Sequence, residues 1–151
     1  MRYIGFDADC YQYLVAESSD LLKWKIFCLA TGLGNKGGFY HGDQVLGAFL
    51  YEDYSIISPR RLNIHRGKFW WLYGAYSKRG GYDIDPRYEV LEFSEDSLCW
   101  ERAKDTFLLS VHDPDVGQWG KDYIYQPWLM EHNDHFYNYY NSKTLTPKQT
   151  K

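Results

Sequence analysis

Ser94-Glu95-Asp96-Ser97-Leu98-Cys99-Trp100 restates Ser18-Ser19-Asp20-Leu21-Leu22-Lys23-Trp24 at a distance of 76 residues. A second landmark recurs in the same order. Pro59-Arg60-Arg61-Leu62 followed by Phe69-Trp70-Trp71-Leu72-Tyr73-Gly74 corresponds to Pro127-Trp128-Leu129-Met130 followed by Phe136-Tyr137-Asn138-Tyr139-Tyr140-Asn141, with spacings of 68 and 67 residues. Ordered self-similarity at a nearly fixed period marks a repeat architecture, in which one supersecondary unit is stacked on the next.

The unit is built of strands. Period-two runs at Tyr11 to Glu17 and Arg87 to Phe93 each end at a Ser-x-Asp turn, where Ser and Asp side chains can take up backbone N–H groups that the strand no longer pairs. Trp24 and Trp100 then open the next strand, and both are expected in the core, while Asp20 and Asp96 are expected to be turn residues. Gly67-Lys68 and Asn133-Asp134 read as hairpin connectors ahead of aromatic strands. Val45 to Tyr51, Ile56 to Ile64, Thr106 to Ser110 and Tyr123 to Met130 complete the expected strands. No window repeats apolar residues at helical spacing.

Four strands per period match a β-propeller blade, a four-stranded antiparallel sheet. Within a period, an inner strand carrying Pro59 or Pro127 leads by a hairpin to the aromatic strand, then to the Tyr/Glu-rich strand, then to an outer strand opened by Trp. Tyr3-Ile4-Gly5 aligns with Tyr73-Gly74, so the chain starts part-way through a blade and runs for about two blade-lengths. The expected fold is all-β, a partial β-propeller in one domain over residues 1–142, followed by a polar tail over 143–151. Rings close with about four to eight blades, so a chain of this length needs a second copy or further blades to cover its edges.

Composition narrows the function. The chain has 151 residues and a net charge of −3, which gives no support for nucleic-acid or anionic-membrane binding. The three cysteines share no metal-ligand spacing and read as reduced, buried thiols, which places the expected site of action in the cytoplasm. No segment is apolar for long enough to span a bilayer as a helix. Aromatic residues make up 19% of the chain. Rings with polar handles suit half-apolar, half-wet surfaces, of which sugar rings are one. No zinc or calcium ligand pattern, nucleophile-elbow, phosphate-loop or dinucleotide motif occurs, so neither a metal nor a cofactor is expected.

The ordered series Ser18/Asp20/Trp24, Asp53/Pro59, Gly67 to Gly74, Ser94/Asp96/Trp100 and Asp122 to Pro127 with Phe136 to Asn141 resembles the five-bladed β-propeller glycosidases. These comprise arabinanases and β-xylosidases, invertases and levansucrases, and mannoside phosphorylases. The resemblance implies cleavage of a glycosidic bond, by hydrolysis or phosphorolysis, with carboxylates of successive inner strands around one axial pocket. Two such carboxylates act as acid and as base or nucleophile, and crowding separates their pKa values. Carried onto this chain, the carboxylates are Asp53 and Asp122, with Asp43 as a third. Arg60, Gln126, Trp128, Glu131 and His112 are the implied sugar-binding positions, Arg60 as a clamp on a hydroxyl or phosphate and Trp128 as a stacking platform. Several of these families carry a Glu two residues before the inner-strand Pro; here those positions are Ile57 and Tyr125. That departure leaves a non-catalytic carbohydrate-binding or assembly module as the alternative.

Overall fold

The computed structural model describes residues 2–6, 11–29, 44–55, 57, 61–75, 88–104, 106–116 and 122–143. All strand pairs among them are antiparallel. The first sheet has the order β1 (Arg2–Phe6), β2 (Tyr11–Glu17), β3 (Lys25–Leu29). The middle sheet runs β4 (Gln44–Phe49), β6 (Lys68–Ala75), β7 (Tyr88–Ser94), β8 (Glu101–Arg102). Short β5 (Ile64–His65) joins it on β6, and β9 (Leu109–Ser110) on β7. The last sheet is the hairpin of β10 (Tyr123–His132) and β11 (His135–Lys143). The protein is all-β, as the repeat predicts; the helical content of the described residues is one 3-10 turn, Pro114–Val116.

Local chemistry explains the turns. Asp96 Oδ1 accepts the amides of Leu98 and Cys99 at 2.7 and 2.8 Å, and Asp20 Oδ1 accepts those of Leu22 and Lys23 at 2.9 and 2.8 Å. These backbone bonds hold both carboxyls below the usual aspartate range. The β5–β6 hairpin turns through Arg66 and Gly67 with φ of 53° and 74°, and the β10–β11 hairpin through Asn133 and Asp134 with φ of 51° and 58°. Two successive positive φ values give the twist that tight hairpins need, and Gly, Asn and Asp tolerate them best.

The middle sheet is buried on both faces. From β6, Trp71, Tyr73 and Ala75 enter a core with Tyr88, Val90 and Trp100 that also contains Val15 of the first sheet. The opposite face puts Leu72 and half-buried Trp70 and Leu91 against Leu129 of the last sheet. A third cluster, Val111, Val116 and Ile124, seals the join between β9 and β10. Strand side chains alternate between faces, so one sheet supplies two cores.

Four expectations need correction. Both β4 and the short β5 pair with β6, and the strand expected over Ile56 to Ile64 is only partly visible, because residues 56 and 58–60, Pro59 among them, lie outside the described residues. Among the described residues of that stretch, Ile57 is an exposed turn residue, Leu62 makes a single bridge to Tyr51, and only Ile64 enters a strand. Gly47 permits the β4–β6 pairing. A Cβ there would meet Leu72 O at 2.4 Å and Tyr73 Cβ at 2.5 Å, so glycine alone lets β4 seat on β6. Thr106 to Ser110 yields only the short β9. Cys99, expected to be buried, is exposed in the turn after β7. Trp24 is 42% exposed, whereas Trp100 is 8% exposed. Trp100 lies against Phe49 and Trp71 in the core shared with the first sheet. Among the described residues no further sheet lies in front of the first one to cover Trp24 in the same way.

Candidate functional site

Beyond β4 the chain continues through Leu50 and Tyr51 into the turn that carries Asp53. Asp53 is exposed, and its Oδ1 accepts the Ser55 amide at 2.7 Å. The next residue anchors this turn to the last sheet. Tyr54 donates its hydroxyl to the Leu129 carbonyl at 2.7 Å and accepts the Tyr51 amide at 3.3 Å. Burial pushes the Tyr54 phenol above its usual range, so it stays a neutral donor at physiological pH. Its ring stands 6.2 Å from Trp128 and 6.2 Å from Tyr51, centroid to centroid. Trp128 is 38% exposed. The turn that carries Asp53 is therefore anchored, through Tyr54, to a chain of three rings whose last member is open to solvent.

Neighbouring polar groups on β10 are held by the protein. Gln126 sits at φ 53° in the register irregularity between Tyr125 and Trp128, and its Oε1 accepts from Asn141 Nδ2 at 2.7 Å. Glu131 accepts from Asn63 Nδ2 at 3.0 Å through Oε2, and its Oε1 is 3.6 Å from His65 Nδ1. Those contacts tie β10 to the strand entering the β5–β6 hairpin. Asp122 is half-buried just before β10. His112 is exposed in the turn after β9, with its amide on Ser110 Oγ. Asp43 and Arg60 lie outside the described residues. The structure thus brings Asp53 and Trp128 into one neighbourhood through Tyr54, and it assigns Gln126 and Glu131 internal bonds.

A cavity of about 540 Å³ opens between the middle and last sheets. Its walls are Trp70, Leu91, Leu108, Leu109, Leu129 and Phe136, with His65, Arg66 and Asn138 as the polar lining; His112 is not among them. Under Asn138 lies Glu89, a residue that no sequence motif marks. Glu89 on β7 is 0% exposed and accepts a hydrogen bond from Asn138 Nδ2. Burial pushes its carboxyl up to about 7, against the Asn138 bond, which favours the ionised form. The signal available in the sequence was a Glu inside the strand Tyr88-Glu89-Val90-Leu91. On the other face of β7, Glu92 Oε1 accepts from the Tyr73 hydroxyl at 3.0 Å. Among the described residues no group of three or more His, Cys, Asp or Glu side chains is placed to hold a metal ion, and no helix is long and apolar enough to cross a membrane.

No family model matches this chain, and no curated protein matches it. Solved structures do. One, a BT0996 RGII complex, superposes with a TM-score of 0.76 at 22% identity over 99% of this chain and 46% of its own. Another, described as "Glycoside hydrolase", gives a TM-score of 0.73 at 18% identity over 99% of this chain and 49% of its own. The fold is glycoside hydrolase-like, and the chain spans just under half the length of these neighbours.

Proposed function

We propose that the three sheets are consecutive blades of a glycosidase-type propeller and that the chain binds an oligo- or polysaccharide at its inner strands, where the parent chemistry is cleavage of a glycosidic bond. The observation that carries this reading is the grouping of Asp53, Tyr54 and Trp128. Tyr54 anchors the turn of an exposed carboxylate to the strand of a solvent-open indole, and the two would offer a sugar a charged partner for its hydroxyls and a platform for its C–H face. The sheet order supports the propeller: three strands, then a sheet four strands deep, then two, each core shared with the next sheet. That one structural neighbour is an RGII complex supports a carbohydrate as the ligand class.

In this reading Asp53 and Asp122 are the carboxylates that stabilise or attack the reacting sugar, with Asp43 as a third, and Trp128 and Arg60 hold it. Gln126 and Glu131 shape the site through Asn141 and Asn63, and His112 is left at its rim. Further blades, from a longer polypeptide or a second copy, cover the outer edges of β3 and β11, and the protein acts in the cytoplasm.

A second reading, a non-catalytic carbohydrate-binding module, is favoured by one observation. Glu131, the carboxylate nearest Trp128 in sequence on β10, is already engaged by Asn63 and His65. Hydrolysis and phosphorolysis of aryl glycosides and oligosaccharides separate the two. The enzyme reading expects turnover that is lost in Asp53→Asn and Asp122→Asn and kept in Asp20→Asn. Sugar binding that survives both inner-strand changes, without turnover in the unaltered protein, overturns it in favour of the module.

A further inference from the structure

The last sheet packs on the middle one chiefly through β10, and a polar pair between β7 and β11 lies across the same join. Asn138 donates its Nδ2–H to Glu89 Oε2. Two acceptors are left over: Glu89 Oε1 and Asn138 Oδ1 are both buried and have no hydrogen-bond partner. An ionised carboxylate here would set two bare lone-pair oxygens in a dry join, and a buried unsatisfied polar atom is costly. One proton satisfies both. A carboxylic acid and a primary amide can close a ring of two antiparallel bonds, Nδ2–H to Oε2 and Oε1–H to Oδ1, which uses each group's full pairing capacity on that side.

We propose that Glu89 and Asn138 form a proton-controlled tie between the middle and last sheets, closed while Glu89 is a neutral acid and loosened when it ionises. On ionisation the Oε1 proton passes to water, the bond to Asn138 Oδ1 is lost, and the new charge sits where solvent is excluded. Tyr140 of β11 is the titratable group that feels this charge. Its phenol is raised by burial first and by Glu89 second, so it remains neutral across the relevant range. β6 sets Gly74 and β9 sets Leu109 opposite Glu89 in register. No charged side chain contributes to the shift of the Glu89 carboxyl. Asn138 also lines the cavity, beside Leu91, Leu108 and Phe136. Loosening the tie therefore opens the base of the cavity to water.

The test is a pH titration of the full chain labelled with carbon-13 at the glutamate side-chain carboxyls, paired with hydrogen exchange of the β11 amides. One glutamate resonance is expected to titrate near neutral pH and to be absent in Glu89→Gln. Protection of β11, corrected for intrinsic exchange, is expected to fall several-fold from pH 5 to pH 8.5 in the unaltered protein and to stay constant in Glu89→Gln, whose amide can make both bonds at every pH. Asn138→Ala should shift that one resonance and give low β11 protection at both pH values. If Glu89→Gln does not fold, the unaltered protein and Asn138→Ala still decide. A spectrum in which every glutamate titrates in the ordinary carboxylate range, or β11 protection with no pH dependence, overturns the tie.

Discussion

The hydroxyl of Tyr54 donates to the backbone carbonyl of Leu129 at 2.7 Å, across 75 residues of sequence. This bond anchors the turn that carries Asp53 to β10, the strand that carries Trp128. The sugar-binding proposal depends on that registration, which leads to the first prediction.

Tyr54→Phe keeps the ring and removes the bond. The Leu129 carbonyl and the Tyr51 amide each lose a partner, so stability should fall by about 1 kcal/mol in chemical denaturation. Sugar affinity should fall several-fold as well, because the turn and Trp128 are no longer held together. Titration calorimetry of this variant with a sugar that binds the unaltered protein checks the second effect.

Gly47→Ala should be more damaging than its size suggests. The added methyl has no room: the backbone oxygen of Leu72, the Cβ of Tyr73 and the Trp71 indole nitrogen all lie within 2.7 Å of it. Strand β4 must shift off β6, at a cost of about 1–3 kcal/mol for overpacking, and more if the pairing is lost. Thermal unfolding of the variant measures this.

The two tryptophans of the repeated motif should separate on truncation. Trp100→Ala removes a buried ring from the core shared by two sheets and should cost about 3–5 kcal/mol. Trp24→Ala removes a partly exposed ring and should cost less than about 1 kcal/mol. Equal losses would mean that Trp24 is covered in solution by a further sheet.

Stability should fall at both ends of the pH range. The Glu89 carboxyl is raised from an ordinary 4.5 to about 7, so the folded state holds its proton more tightly than the unfolded state. Its contribution is complete below about 4.5, falls as pH rises from there, and is gone above about 7, a total of about 3 kcal/mol. The Asp20 and Asp96 carboxyls are lowered, so their contribution is present above the ordinary aspartate value and is lost as pH falls below it. Denaturation midpoints from pH 3 to pH 9 should therefore peak on the acid side of neutrality, and Glu89→Gln should flatten the alkaline limb.

What could be read from the sequence was whatever short-range chemistry decides. The Ser-x-Asp turns close on backbone amides two and three residues away, and the β6, β7, β10 and β11 segments carry their own strand pattern. Long-range choices were hidden. The seating of β4 on β6 depends on how closely Gly47 can approach Tyr73, a contact between distant residues. Trp24 and Trp100 share a motif but differ in burial, because burial depends on which sheet lies in front. Glu89 was hidden because period-two alternation assigns a strand's glutamates to a solvent face, whereas a strand covered on both faces leaves no wet side. At the site, Asp53 and Trp128 follow from the family resemblance. Tyr54, which joins their neighbourhoods, belongs to no motif and shows its role only through its bond to a distant strand.

The most direct measurement is calorimetric titration of the full chain with a panel of oligosaccharides, comparing the unaltered protein with Trp128→Ala. The account predicts binding to at least one sugar and a loss of about tenfold in affinity on removal of the indole, equivalent to about 1.4 kcal/mol of stacking. Affinity unchanged in Trp128→Ala, or no binding of any sugar to the unaltered protein, would contradict it.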